Sequence, residues 1–306
     1  MTSETSPVLR RAGVVAVVGR ANVGKSTLIN RICEEKVSIV SPVAQTTRNL
    51  IRAVVTEPRG QLVLLDTPGV HQAVRDLGRL MNRAARAAVA GVDVVLLVLD
   101  GVAAPRPEDE GWLRRLLFHP APVIALLNKA DQGAAQAPAY RQCWAAVAAE
   151  KKADKPVIWL SASALSGAGV PELVSRLFAL LPVGPPLFPD DVLTDYPRKL
   201  AMADVVREQY FLVLRDELPH ALAVSIEAIA EQPGGWQVAG TVYVDKPSQK
   251  PMVIGAKAWL LKRVRRAAEQ ELSAMYATPV KLDLRVKVEK NWSRNFWLLK
   301  QFGYAP

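Results

Sequence analysis

Apolar residues come in short, near-continuous runs through the first 180 positions: 14-VVAVVG-19, 51-IRAVVTE-57, 61-QLVLLD-66, 92-VDVVLLVLD-100, 122-PVIALLN-128 and 156-PVIWLSA-162. Runs of this length, rich in Leu and β-branched residues, suit strands of a sheet covered on both faces. Patterns of helical period lie between most of them, around 25–34, 76–90, 108–118, 137–149 and 171–181. That alternation predicts an α/β domain built on a doubly wound, mostly parallel sheet. It breaks at 182-PVGPPLFPDDVLTDYP-197, where five prolines in sixteen residues exclude a continuing helix or a central strand. A different grammar follows. A helical stretch over 198–214 leads to alternating strands 221-ALAVSIEAIA-230 and 236-WQVAGTVYV-244, joined by a Pro-Gly-Gly turn. Then come an apolar strand end before Gly255, a basic helix over 259–272, a strand 279-PVKLDLRVKV-288 and a short helix around 292–301. The predicted division is a disordered tail 1–12, an α/β domain 13–182, a Pro-rich linker 183–197 and a small α+β domain 198–306.

Composition narrows the class. A chain of 306 residues exceeds the usual size of one domain, and its half-apolar make-up is ordinary for a soluble globular protein. The longest apolar runs, such as 94-VVLLVL-99, are too short to span a bilayer, and MTSETSPVLRRAG has no apolar signal core. Two distant cysteines, Cys33 and Cys143, with three histidines exclude a disulfide framework and offer no metal-ligand spacing, which points to a reducing cytoplasm. The formal charge of +10 favours an anionic partner. It is uneven: residues 198–306 carry 17 basic and 11 acidic side chains, a net +6 on a third of the chain.

The chemistry is concentrated at strand ends. Residues 19-GRANVGKS-26 match G-x-x-x-x-G-K-[ST] between an apolar strand and a helix. From Gly19 through Arg20, Ala21, Asn22, Val23 and Gly24 to Thr27, the backbone amides and the helix N-terminus are suited to wrapping phosphates. Lys25 can reach the outer phosphates, and the Ser26 hydroxyl is a ligand for Mg2+. The motif 66-DTPG-69 follows another strand, placing Asp66 for the Mg2+ shell, Thr67 and Pro68 in the turn, and the Gly69 N–H toward a terminal phosphate. Two more motifs, 128-NKAD-131 and 161-SASA-164, end the last two strands of the series.

This set resembles the GTPase superclass of phosphate-loop proteins. By that resemblance Asp131 accepts hydrogen bonds from guanine N1–H and its amine, and an Asp left unpaired there opposes ATP. Asn128 fixes the loop and Lys129 lays its stem over the ring. The Ala162 N–H, flanked by Ser161 and Ser163, reads the guanine oxygen. Many GTPases carry a water-orienting Gln after the third-motif Gly; here Val70 stands at that place, and His71 beside it reads as an exposed loop histidine rather than a base. The chain resembles the branch with a hydrophobic residue there, which implies slow intrinsic turnover and K+ bound with help from Asn22. In 45-QTTR-48 either Thr46 or Thr47 closes over Mg2+, and the family pattern favours Thr47. Arg79, Arg83 and Arg86, at helical spacing, read as a solvated face, with an RNA or protein contact as the alternative.

With these motifs, 186-PLFPDDVLTDYP-197, 214-LRDELPHALAVSIE-227 and 277-ATPVKLDLRVKVEKNWSRNFWLLKQFGY-304, nearly the whole chain resembles the Era family of ribosome-associated GTPases. The resemblance implies a C-terminal type II KH domain and coupling of GTP/GDP state to the 3′ end of 16S rRNA in 30S subunit assembly. It also implies a cytoplasmic protein with peripheral association at the inner membrane. KH domains clamp RNA with G-x-x-G. The corresponding stretch is Gly255-Ala256-Lys257-Ala258, in which Ala258 is tolerated if its φ and ψ are helical, and Lys262, Arg263 and Arg266 add charge. Two other readings stand beside this one: a tRNA-modification or large-subunit assembly GTPase, and a switch whose C-terminal part binds protein or membrane.

Overall fold

Near-continuous apolar runs need cover on both sides, and the first part of the chain supplies it. The structure, a computed structural model, describes residues 10–43, 46–70, 76–133 and 135–304. They gather into two compact units. The described residues of 1–38, 50–72 and 82–195 form one, and those of 39–49, 73–81 and 196–306 form the other.

The first unit is a six-stranded sheet of β1 (Arg11–Val18), β2 (Ile51–Glu57), β3 (Gly60–Asp66), β4 (Val94–Asp100), β5 (Val123–Asn128) and β6 (Val157–Ser161). Its order is β2-β3-β1-β4-β5-β6, parallel throughout except that β2 runs against β3. Every residue of β3, β4 and β5 is buried, which is why their sequences show no polar alternation. The helices are α1 (Lys25–Cys33), α2 (Asp76–Ala87), α3 (Pro107–Leu116), α4 (Ala137–Lys151) and α5 (Val170–Leu180), with the start of α2 belonging to the second unit's segment. Pro107 opens α3, where its missing N–H has no partner to lose, and Glu108, Asp109 and Glu110 complement the helix dipole. Trp112, Leu113, Leu116, Tyr140 and Trp144 then pack with Leu97 and Leu99. Arg79, Arg83 and Arg86 are all exposed along α2. Cys33 and Cys143 are free, and burial pushes the Cys33 thiol up to about 12.

Two boundaries differ from the sequence expectation. Arg11 and Ala12, assigned to the tail, open β1. The Pro-rich stretch is also no loose linker over 187–195. Val54 N–H donates to Leu193 O (2.8 Å), Gln61 Oε1 accepts from Leu187 and Phe188 N–H (2.7 and 2.8 Å), and Phe188 and Val192 pack on Val54, Val63 and Leu65. The segment lies along the edge strand β2, so it covers a row of backbone groups that would otherwise invite pairing.

The second unit holds α6 (Arg198–Val213), α7 (Leu218–Ala221), β7 (Leu222–Gln232), β8 (Gly235–Val244), α8 (Gln249–Ile254), α9 (Trp259–Met275), β9 (Val280–Val288) and α10 (Phe296–Gln301). β7 and β8 form an antiparallel hairpin, and β9 joins β8 in parallel. Strand alternation serves two cores. Val242 and Val244 enter one with Val206, Tyr210, Phe211, Val264 and Leu272. Tyr243 enters another with Trp292, Leu299, Phe302, Leu77 and Met81. The apolar run before Gly255, expected as a strand end, is instead the helix α8. Pro251 sits in its first turn, where no N–H is required, and Gln249 Oε1 caps the entry by accepting from Asp245 and Lys246 N–H (3.0 and 2.9 Å). A three-residue apolar run cannot distinguish the two by period.

Candidate nucleotide site and nucleic-acid clamp

The turn from β1 to α1 forces residues 19–24 into a tight loop, and a second loop supports it. Val70 N–H donates to Gly19 O (3.3 Å) and Ala21 N–H to Val70 O (3.2 Å), which joins the phosphate loop to the segment after Asp66. Gly24 adopts φ 93°, and a Cβ there would lie 2.4 Å from Asn128 Nδ2. Asn22 is also left-handed and is exposed. Lys25 folds its ammonium back over the loop onto Gly19 O (3.2 Å) and Arg20 O (2.9 Å). Burial depresses that ammonium to about 8, with the Asp66 carboxylate opposing the shift. Ser26 Oγ donates to Asp66 Oδ2 (2.8 Å), and Thr67 Oγ1 is anchored on Val17 O (2.8 Å).

At the other end of the loop Asn128 is a bracket. Its Nδ2 donates to Val23 O (2.8 Å) while its Oδ1 accepts from Ala164 N–H (2.9 Å), so one side chain spans the phosphate loop and the turn after β6. Lys129, left-handed, pairs with Asp100 (2.8 Å), and Asp131 is exposed in the following 3-10 turn. Asp100 also takes Arg20 Nη2 (3.1 Å), and Arg20 Nε reaches the fully buried Asp109 (3.1 Å), to which Tyr140 donates (3.2 Å). Burial pushes the Asp109 carboxyl up and the Tyr140 hydroxyl up. Sequence reasoning missed this Arg20–Asp100–Lys129 linkage. Its only sequence signal is an acid at the end of β4, on the sheet edge where the recognised motifs lie.

The candidate clamp of the second unit lies between α8 and α9. Gly255 has φ 74° and ψ 167°, and a Cβ there would sit 2.9 Å from Leu260 N and Cβ. Lys257 (φ 49°, ψ 32°) and Ala258 (φ 60°, ψ 26°) are both left-handed. Ala256, Lys257, Lys262, Arg263 and Arg266 are exposed; Arg265 turns toward Glu269 (3.8 Å).

A family profile described as "50S ribosome-binding GTPase" matches residues 14–129, and one described as "KH domain" matches 217–293. A curated relative, GTPase Era of Geotalea uraniireducens, is 40% identical over 96% of this chain and 98% of its own. The chain belongs to the GTPase Era family. Two solved Era structures, each 36% identical, cover 97% of the chain and 100% of their own. One, with MgGDPNP and nucleotides 1506–1542 of 16S ribosomal RNA, has a TM-score of 0.88; the other, a point variant of Aquifex aeolicus Era bound to GDP.AlF4-, has 0.87.

The expected P-loop GTPase and KH architecture is therefore shown, but several residue expectations change. The Ala162 N–H cannot read a base: it donates to Leu127 O (3.0 Å) and prolongs the β5–β6 pairing. The turn that Asn128 grips begins two residues later, with buried Ser163 and Ala164. Because 161-SASA-164 repeats itself, composition could not set the frame. Thr46 and Thr47 are both buried members of the second unit, and the Thr46 hydroxyl is engaged with Ser41 Oγ and Val43 O (both 2.6 Å). His71 lies outside the described residues. Ala258 is not helical, the condition on which its tolerance rested. A left-handed alanine costs about 1 kcal/mol relative to glycine. Ala258→Gly is therefore expected to raise the second unit's stability by about that amount in urea titration. An unchanged or lower midpoint counts against strain at this residue.

Proposed function

We propose that the protein binds and hydrolyses GTP and couples nucleotide state to binding the 3′ end of 16S rRNA in 30S subunit assembly. The observation that carries the first half is the Asn128 bracket, which fixes the phosphate loop and the base-recognition turn as one surface at the strand ends. The Ser26–Asp66 oxygen pair suits Mg2+, a hard cation that prefers few protein ligands and several waters or phosphate oxygens. No cage of three His, Cys, Asp or Glu occurs among the described residues. When bound, the ion neutralises charge on the outer phosphates. Lys25 exchanges its two carbonyl contacts for phosphate oxygens, and phosphate binding favours its charged form. Asp131, Asn128 and Lys129 select guanine.

The Val70 side chain cannot hydrogen-bond water, so intrinsic turnover is slow and backbone groups position the nucleophile; Asn22 would help hold a K+ ion, which would supply positive charge to the transferring phosphate. The RNA half rests on the left-handed basic clamp and on the Era relative solved with 16S ribosomal RNA nucleotides. Location is cytoplasmic, with peripheral inner-membrane association; among the described residues no helix is long and apolar enough to cross a membrane. The test has two parts. Hydrolysis is expected to be faster in KCl than NaCl and slowed by Asn22→Asp; equal rates in both salts remove K+. RNA oligonucleotides of the rRNA 3′ end are expected to bind more tightly than scrambled ones with a steep salt slope. Equal affinities remove the target assignment.

A further inference from the structure

α9 leaves the clamp with two contrasting faces. Leu260, Val264, Ala268 and Leu272, four residues apart, are buried in the core. The outward stripe is Trp259, Lys262, Arg263 and Arg266, all exposed and spaced i, i+3, i+4, i+7. It runs about 10 Å along the helix from the clamp. Its first member is anomalous: Trp259, the residue directly after the left-handed Ala258, is 59% exposed. An indole in water at the start of a basic helix adds nothing to the core. Among the described residues its cationic ring partner is Arg263, whose Cζ lies 5.4 Å from the ring centroid.

We propose that Trp259 is a nucleobase-stacking subsite for single-stranded RNA leaving the clamp. Arg263 braces one face of the indole, a base lies on the other, and Lys262 and Arg266 carry the adjoining phosphates. Charge favours this occupant over an apolar partner, because three cations and no acid share the stripe. Stacking on an aromatic ring tolerates any base, so the subsite adds affinity without sequence choice, whereas the clamp grips the backbone. A guanidinium behind the ring keeps it in place for a base in front. The inference rests on the RNA-binding reading above and assigns that RNA a path along α9.

The experiment uses the full chain with a fluorescent single-stranded RNA of the rRNA 3′ end, titrated across a salt series. Trp259→Ala is expected to weaken binding about tenfold at every salt concentration, with the slope of log affinity against log salt unchanged. Trp259→Phe is expected to retain most of the affinity, and Arg266→Ala to reduce the slope by about one. The Trp259 site is exposed, so the variants are expected to melt with the parent. If Trp259→Ala binds like the parent while Gly255→Asp abolishes binding, the stacking subsite is wrong and the clamp stands. If a Gly255→Asp chain that melts with the parent also binds RNA as the parent does, the clamp assignment itself falls and the stacking subsite with it.

Discussion

Gly24→Ala is expected to weaken GTP binding by about a hundredfold while leaving the second unit folded. Two separate costs meet at this residue. Its φ of 93° lies where a Cβ costs about 1–2 kcal/mol. That Cβ would also stand 2.4 Å from Asn128 Nδ2, so the amide must move and release Val23 O. Losing that bond adds about 1–3 kcal/mol, since the groups are buried. A total of about 3 kcal/mol is about two decades in affinity. Calorimetric titration of GDP and a GTP analogue with Mg2+ measures it. Asn128→Ala separates the causes, because it removes the bracket without straining the loop. A Gly24→Ala chain that binds nucleotide like the parent would show that the loop does not need this geometry.

The phosphate loop was legible because its chemistry is local: glycines, a Lys and a Ser at fixed spacing between a strand and a helix. β3, β4 and β5 were legible for a related reason, since burial on both faces removes polar residues from the run itself. What escaped is set by distant chain. Nothing in 161-SASA-164 marks which alanine ends the sheet pairing; Leu127 O on the neighbouring strand decides it. Nothing local marks Arg48 as a buried cation, because arginine is ordinarily a surface residue. Its burial depends on the rings of Phe211 and Tyr304, far along the chain. The backbone of Ala258 was left open for the opposite reason: its left-handed conformation is local, but alanine carries no sign of it.

Arg207→Leu is expected to destabilise the second unit by about 3–5 kcal/mol and to open residues 39–49 to trypsin. Arg207 is buried, pairs with Asp204 (2.9 Å), bonds Tyr304 Oη and donates to Thr46 O (2.8 Å). Beside it Arg48 donates to Leu222 O (2.9 Å) and Pro219 O (3.2 Å) and lies 5.5 Å from the Tyr304 ring centroid. Val40 N–H donates to Glu208 Oε1 (2.7 Å), and Ile39 is in the core. Thr47 is thus flanked by anchored residues, and the loop that carries it inherits their order. Removing the Arg207 cation leaves Asp204 buried with Tyr196 as donor (3.0 Å), and burial already pushes that carboxyl above its ordinary value. Its folded value in the variant then exceeds the unfolded one. The defect is therefore smallest below the ordinary Asp range and grows as pH rises through the folded value. Asp204→Asn combined with Arg207→Leu is expected to recover a large part of the loss, a coupling that a double-mutant cycle in urea measures. The tryptophans at 236, 259, 292 and 297 report on this unit's transition. An unchanged midpoint in Arg207→Leu, with Arg48 still resistant to trypsin, would mean that aromatic packing alone holds the segment and the ion pair is dispensable.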